Sequence, residues 1–292
     1  MPPKTAAKKA AAHTFKAPQH TETRLVTETD VSNQQDDAQA QQQAAQAEVD
    51  QKAQAARWKL LCGEYADVQN LSNWQQECVH YAPENYFIAS LKDALRLATQ
   101  SQQIVEVKTT EQHMLILPDM SQIYFSIPLT EQAFVTFCNS PVRKNQIQIH
   151  ILNTNEAELA RHKISQSSRL LNDLEAFVWS CQLLTAQGRL ARGTDITRPA
   201  LLKYWPNMTR IESIPHMMNI AALWSDSSAS IIELAKRLDI PQRYVISFYH
   251  AAALLGLMEQ DNSKLKSKTR TESNTKKNRG LFSRLLKRLI GN

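Results

Sequence analysis

The chain reads as α+β: a disordered N-terminal arm, a small α+β domain, a helical winged-helix-like domain and a basic amphipathic C-terminal tail. Three observations carry that reading. Residues 1–55 hold few large apolar side chains among their Ala, Gln, Thr and Lys. Short runs rich in β-branched and aromatic residues, split by polar turns, fall between 104 and 151. From 156 onward the apolar residues recur at helical spacing. The divisions are therefore 1–55 (arm), 56–155 (α+β domain), 156–262 (helical domain), 263–279 (basic linker) and 280–292 (amphipathic helix).

Within the arm, residues 34–56 are mostly Gln and Ala. Propensity permits a helix there, but no apolar stripe is present to bury, so only marginal helicity is expected. Apolar content rises at Trp58, and Leu60, Leu61, Tyr65 and Val68 fit helical spacing, as do Trp74, Cys78 and Val79. Phe87 to Ala98 predicts a helix with Leu91, Leu95 and Ala98 on one face. The runs Ile104–Val107, Met114–Leu117 and Ile123–Phe125 predict an antiparallel meander. Thr130 can cap a helix through Phe134, Val135 and Cys138, and Gln146 to Ile151 alternates as a half-buried strand should.

The remainder up to 262 is expected to be all helical. Leu170, Leu171, Leu174, Phe177, Val178, Cys181 and Leu184 trace a long amphipathic helix ending near Gly188. Pro199 fits the first turn of a helix through Leu201, Leu202 and Trp205, stopped by Pro206; Pro215 opens another through Met217, Met218, Ile220 and Trp224. Ser230-Ile231-Ile232-Glu233 is a capping box. Leu234, Ala235 and Leu238 continue the buried face, and Asp239-Ile240-Pro241 breaks the helix. A second helix runs through Tyr244, Val245, Phe248, Ala252 and Leu255 to Gly256, and Leu257-Met258 reads as the first strand of a wing. This is the order of a winged helix-turn-helix.

Such a module suggests DNA contact through its second helix, where Gln242, Arg243, Ser247 and His250 are the residues available to a nucleic acid or a partner. Its charge argues the other way. Between Asp226 and Asp261 three cations face five anions, whereas duplex affinity rests on neutralising phosphates. The stretch Leu184-Thr185-Ala186-Gln187-Gly188-Arg189-Leu190, with Leu202 to Arg210 and Ile220 to Trp224 ahead of the helix-turn-helix, resembles the helical C-terminal module of uncharacterised gammaproteobacterial proteins. It is distantly similar to modules of PatA-type bacterial signalling proteins. The resemblance covers about residues 170–260 and implies bacterial signalling, with no catalytic residue carried over.

The tail is the most charged part of the chain. Residues 263–292 hold ten Lys or Arg against the single Glu272, while the whole chain is only +6. On a helix, Leu281, Phe282, Leu285, Leu286, Leu289 and Ile290 share one face, with Arg284, Lys287 and Arg288 opposite. That pattern suits an anionic membrane surface or an acidic partner groove.

Recognisable enzyme chemistry is missing from the sequence. Gly188-Arg189-Leu190-Ala191-Arg192-Gly193 has P-loop spacing, but Thr194 stands where the phosphate-binding Lys belongs. Arg189, Arg192, Arg198, Lys203 and Arg210 remain as a candidate basic surface. The eight His show no metal-ligand spacing, although His113 and His150 lie in strands that can bring them together. Cys62, Cys78, Cys138 and Cys181 form no C-x-x-C pair and read as buried thiols in a reducing cytosol. No cofactor, metal or small-molecule substrate is expected. The expectation is a cytoplasmic, non-enzymatic adaptor or regulator that docks a protein partner and associates peripherally with the inner membrane. The alternative is a DNA-binding transcription regulator using the winged helix and basic tail.

Overall fold

The computed structural model describes residues 28–260. The chain divides into two compact units, one ending at Lys52 and the other beginning at Ala53. The fold is mixed α+β. The linker 263–279 and the amphipathic segment 280–292 lie outside the described residues, as do residues 1–27 of the arm.

Helix α1 (Glu28–Cys62) runs through the rest of the arm. No Gly or Pro interrupts it, and Ala and Gln dominate, so a helix forms where only marginal helicity was expected. Residues 42–52 are exposed on every side, and i,i+4 contacts such as Lys52–Glu48 and Gln46–Asp50 give local support. From Ala53 onward the chain belongs to the second unit, where Leu61 and Cys62 are buried. Gly63, at φ +64°, ends the helix, its N–H donating to Lys59 O.

The second unit continues through α2 (Trp74–Glu77), β1 (His80–Tyr81), α3 (Phe87–Ser101), β2 (Val105–Lys108), β3 (His113–Leu117), β4 (Gln122–Phe125), α4 (Gln132–Asn139), β5 (Gln148–Ile151), α5 (Thr154–Gln166), β6 (Leu171–Asp173) and α6 (Leu174–Ala186). It closes with β7 (Leu190–Ala191), β8 (Leu201–Leu202), α7 (Met217–Asp226), α8 (Ile231–Leu238), α9 (Gln242–Leu254) and β9 (Met258–Glu259). The expected meander is the centre of a five-stranded antiparallel sheet, ordered β5-β2-β3-β4-β6.

Alternation along the strands sends Val105, Val107, Met114, Ile116, Ile123 and Phe125 to one face, where they join residues of α3, α4 and α6 in the main core. Leu115 and Leu117 point to the other face and pack with Ala160 and Ile164 of α5. Phe125, Phe134 and Phe177 meet edge-on or tilted, with centroids 5.4–5.7 Å apart.

Several expectations are corrected here. Leu171 lies not in a helix but in β6, which completes the sheet, so α6 starts only at Leu174. That helix is not amphipathic. It is buried around nearly its whole circumference because the sheet lies on one side and α9 on the other, with Trp179 5.5 Å from Phe248. A single core therefore runs across the boundary expected at 155. The region after 156 is not all helical, because it also carries β6, β7, β8 and β9. The helix expected after Pro199 is strand β8, held by β9 and by the mutual Ala200–Ala229 backbone bonds. The capping box is formed as read: Ser230 Oγ accepts from Glu233 N–H, and Ser230 N–H donates to the Glu233 carboxylate at 2.8 Å. Asp239 takes φ +52° in the turn before α9.

Candidate docking surface

Helix α9 is the element on which the sequence placed the partner-reading or nucleic-acid-reading residues. The structure buries Ser247 and His250 and leaves Gln242 and Arg243 half-buried. Ser247 is 1 % exposed and His250 7 %. His250 Nε2 accepts the Ala191 backbone N–H at 3.1 Å, and burial pushes its pKa down to about 4. Gln242 is bound to the loop after α1: its side chain accepts from Val68 N–H and donates to Val68 O, while its own N–H donates to Asp67. Arg243 stacks 4.7 Å over the Tyr244 ring and donates to its hydroxyl. Gln242 and His250 tie α9 to the loop after α1 and to β7. The cause of the burial is the crowding of α9 against α6, since its surface is apolar around most of its circumference.

The proposed basic surface is dispersed in the same way. Arg189 lies over the Tyr81 and Tyr86 rings and donates to Thr185 O and Ala186 O. Arg198 donates to Gln260 O, Arg210 pairs with Asp173, and Lys203 with Glu259. Arg192 lines an open cleft of about 460 Å³ with Trp74, His80 and Thr194.

His113 and His150 do reach one face of the sheet, each against a carboxylate: His113 with Glu106 at 2.8 Å and His150 with Glu156 at 3.4 Å. Burial raises the Glu106 pKa, but hydrogen bonds from Lys108 and His113 outweigh it and hold the carboxyl below its ordinary range. Among the described residues, no three His, Cys, Asp or Glu side chains are grouped to hold a metal ion. All four cysteines are free thiols, and burial pushes Cys62 up to about 11, the opposite of nucleophile activation.

What the surface does offer is an apolar strip that the sequence reading missed. Strand β8 is pinned on both sides of Leu201–Leu202, by Ala200 on Ala229 and by Lys203 N–H on Leu257 O. The chain then turns at buried Pro206 and leaves Tyr204 and Trp205 outside, 49 % and 43 % exposed. Trp205 Nε1 donates to Ser225 Oγ at 3.1 Å, which lays the indole against α7. On α7, Met218, Ala222 and Ser225 are spaced i, i+4, i+7 and so share one stripe. Met218 is 54 % exposed and Ala222 is exposed. The stripe from Met218 to Ser225 is about 10 Å long, the rise of seven helical residues, and Trp205 sits at its Ser225 end. The opposite face of α7 buries Met217, Ile220, Ala221 and Trp224, and Trp224 Nε1 donates to Ala229 O. The aromatic pair before Pro206 was the available signal, but its assignment to a helix hid it.

The amphipathic residues Leu281, Phe282, Arg284, Leu285, Leu286, Lys287, Arg288 and Leu289 lie outside the described residues. No helix among the described residues is long and apolar enough to cross a membrane. Comparison with protein-family models, curated proteins and solved structures gives no match.

Proposed function

We propose that this chain is a non-enzymatic adaptor or regulatory protein of the bacterial signalling type. It docks a protein partner through the Trp205–Met218 strip, and its basic tail carries it to an anionic membrane surface. One observation carries the docking: an exposed Trp, next to an exposed Tyr in the chain, is bonded to Ser225 at one end of an α7 stripe that ends in exposed Met218. Exposed Trp and Tyr are the side chains that most often dominate protein interfaces. The burial of α9 weighs against the rival reading, in which a winged helix reads DNA, because a reading helix must present side chains to the groove. So does the body's charge: residues 28–260 hold nineteen Lys or Arg and twenty-five Asp or Glu.

The test compares full-length protein with Trp205→Ala/Met218→Ser in quantitative capture from lysate. The partner is the species whose recovery falls about tenfold or more in the variant, as loss of a hot spot requires. Unchanged recovery of every captured species would remove the strip from the docking role. Sequence-selective duplex binding by full-length protein, retained in the variant, would favour the DNA reading.

A further inference from the structure

Apolar side chains gathered on a surface are usually covered by something. We propose that residues 281–290 of the same chain cover the Trp205–Ala222–Met218 strip, so that the tail and the docking partner compete for one surface. This rests on the docking reading above and adds its regulation.

Chain geometry is the first argument. The last described residue, Gln260, stands opposite Ala200 by the register Leu201↔Glu259, and its carbonyl accepts from Arg198. Five residues lead from Ala200 to Trp205. At about 3.6 Å each, plus roughly 5 Å between paired strands, the span to bridge is at most about 23 Å. Twenty residues of polar and charged sequence separate Gln260 from Leu281. A coil of that length has an r.m.s. span of about 25 Å. When linker and span match in this way the effective concentration is at its highest, of millimolar order. Even a docking constant of about 0.1 mM then leaves the strip about 90 % covered.

Chemical fit is the second argument. Leu281, Phe282, Leu285, Leu286 and Leu289 form an apolar face of the kind that fits a strip of Trp, Ala and Met, a helix laid along a hydrophobic surface. Of the three cations opposite that face on a helical wheel, Arg288 falls nearest its edge. The strip ends at the C-terminus of α7, where Asp226 is exposed and the helix dipole is negative, and the Trp205 ring offers a π face to a cation. The same tail face would insert into an anionic bilayer, so membrane and strip exclude each other. A bilayer that takes the tail frees the strip for the partner, and by linkage a partner on the strip frees the tail for the bilayer.

The test places a nitroxide at Ser283→Cys in the full chain with Cys78→Ser, the other three cysteines being buried. NMR signals of the Met218 methyl and the Trp205 indole should be strongly attenuated, independently of protein concentration. The attenuation should vanish in Leu285→Glu/Leu289→Glu and on adding phosphatidylserine-containing vesicles, but persist with phosphatidylcholine vesicles. Without the nitroxide, full-length Trp205→Ala/Met218→Ser should bind the anionic vesicles about tenfold more tightly than the parent chain. No attenuation, attenuation that grows with concentration, or equal vesicle affinity for parent and variant would each overturn the proposal. Partner capture separates this from the docking reading: loss of capture in Trp205→Ala/Met218→Ser without any nitroxide effect overturns the fold-back alone. A nitroxide effect with unchanged capture supports the fold-back but overturns the competition with a partner along with the docking role.

Discussion

Acidification should weaken this fold through His250, and the size of the effect follows from where that ring sits. Its Nε2 must stay unprotonated to accept the Ala191 N–H, and α6, α9 and the Tyr81 ring, 6.1 Å away, leave it in a dry site. Burial lowers its pKa from 6.5 to about 4. In the unfolded chain the imidazole takes up a proton near pH 6.5, and in the folded protein only near pH 4. Between those values the unfolded state binds more protons, so stability falls as pH falls. Above pH 6.5 the penalty is absent; below pH 4 it saturates at about 3 kcal/mol, from 1.36 kcal/mol per unit. Between pH 7.5 and 5 the loss is about 2 kcal/mol. Glu175, whose pKa burial raises, works in the opposite sense over part of that range, so a control is needed. His250→Gln supplies it, because its side-chain oxygen can accept the Ala191 N–H and does not titrate. Urea unfolding of both proteins at pH 7.5 and pH 5 isolates the histidine contribution. An equal loss of stability in His250→Gln would show that the ring is accessible to protons and that the dry-site argument fails.

Two glycines should respond differently to the same substitution. A Cβ on Gly188 would lie 1.9 Å from Cys62 O, with φ at +74°, so Gly188→Ala should cost well over about 2 kcal/mol, while Gly193→Ala, at φ +84° with open space around it, should cost only the left-handed penalty of about 1–2 kcal/mol; thermal and urea unfolding compare the pair. Ser230→Ala removes one half of the α8 capping box and should cost about 1 kcal/mol, measured as a lower urea midpoint with an unchanged slope.

The parts legible in the sequence were those with a local cause. The capping box of Ser230 and Glu233, the meander of β2, β3 and β4 and the helix stop at Gly256 rest on side chains within a few residues of one another. What the sequence hid was decided at a distance. Leu171 looks helical until Tyr124 of β4 is seen paired with it, and Leu201–Leu202 becomes a strand because Met258–Glu259 returns to lie beside it. Ser247 and His250 look like surface groups on a helical wheel, yet Ser247 is buried beside Cys62 and the Ala191 backbone binds His250. The Trp205 strip was illegible for the same reason, because its exposure depends on how β8 is held and not on its own neighbours.

The second helix of the helix-turn-helix order, α9, is part of the core. In a reading module the second helix keeps one face free. Here α9 brings Val245, Phe248 and Ala252 against α6, ties the loop after α1 through Gln242, and holds β7 through His250. Its exposed charges are left to α8, where Glu233, Lys236 and Arg237 mix both signs and offer no cationic field. A helix so placed cannot be withdrawn to meet a duplex without opening the core that joins it to the sheet.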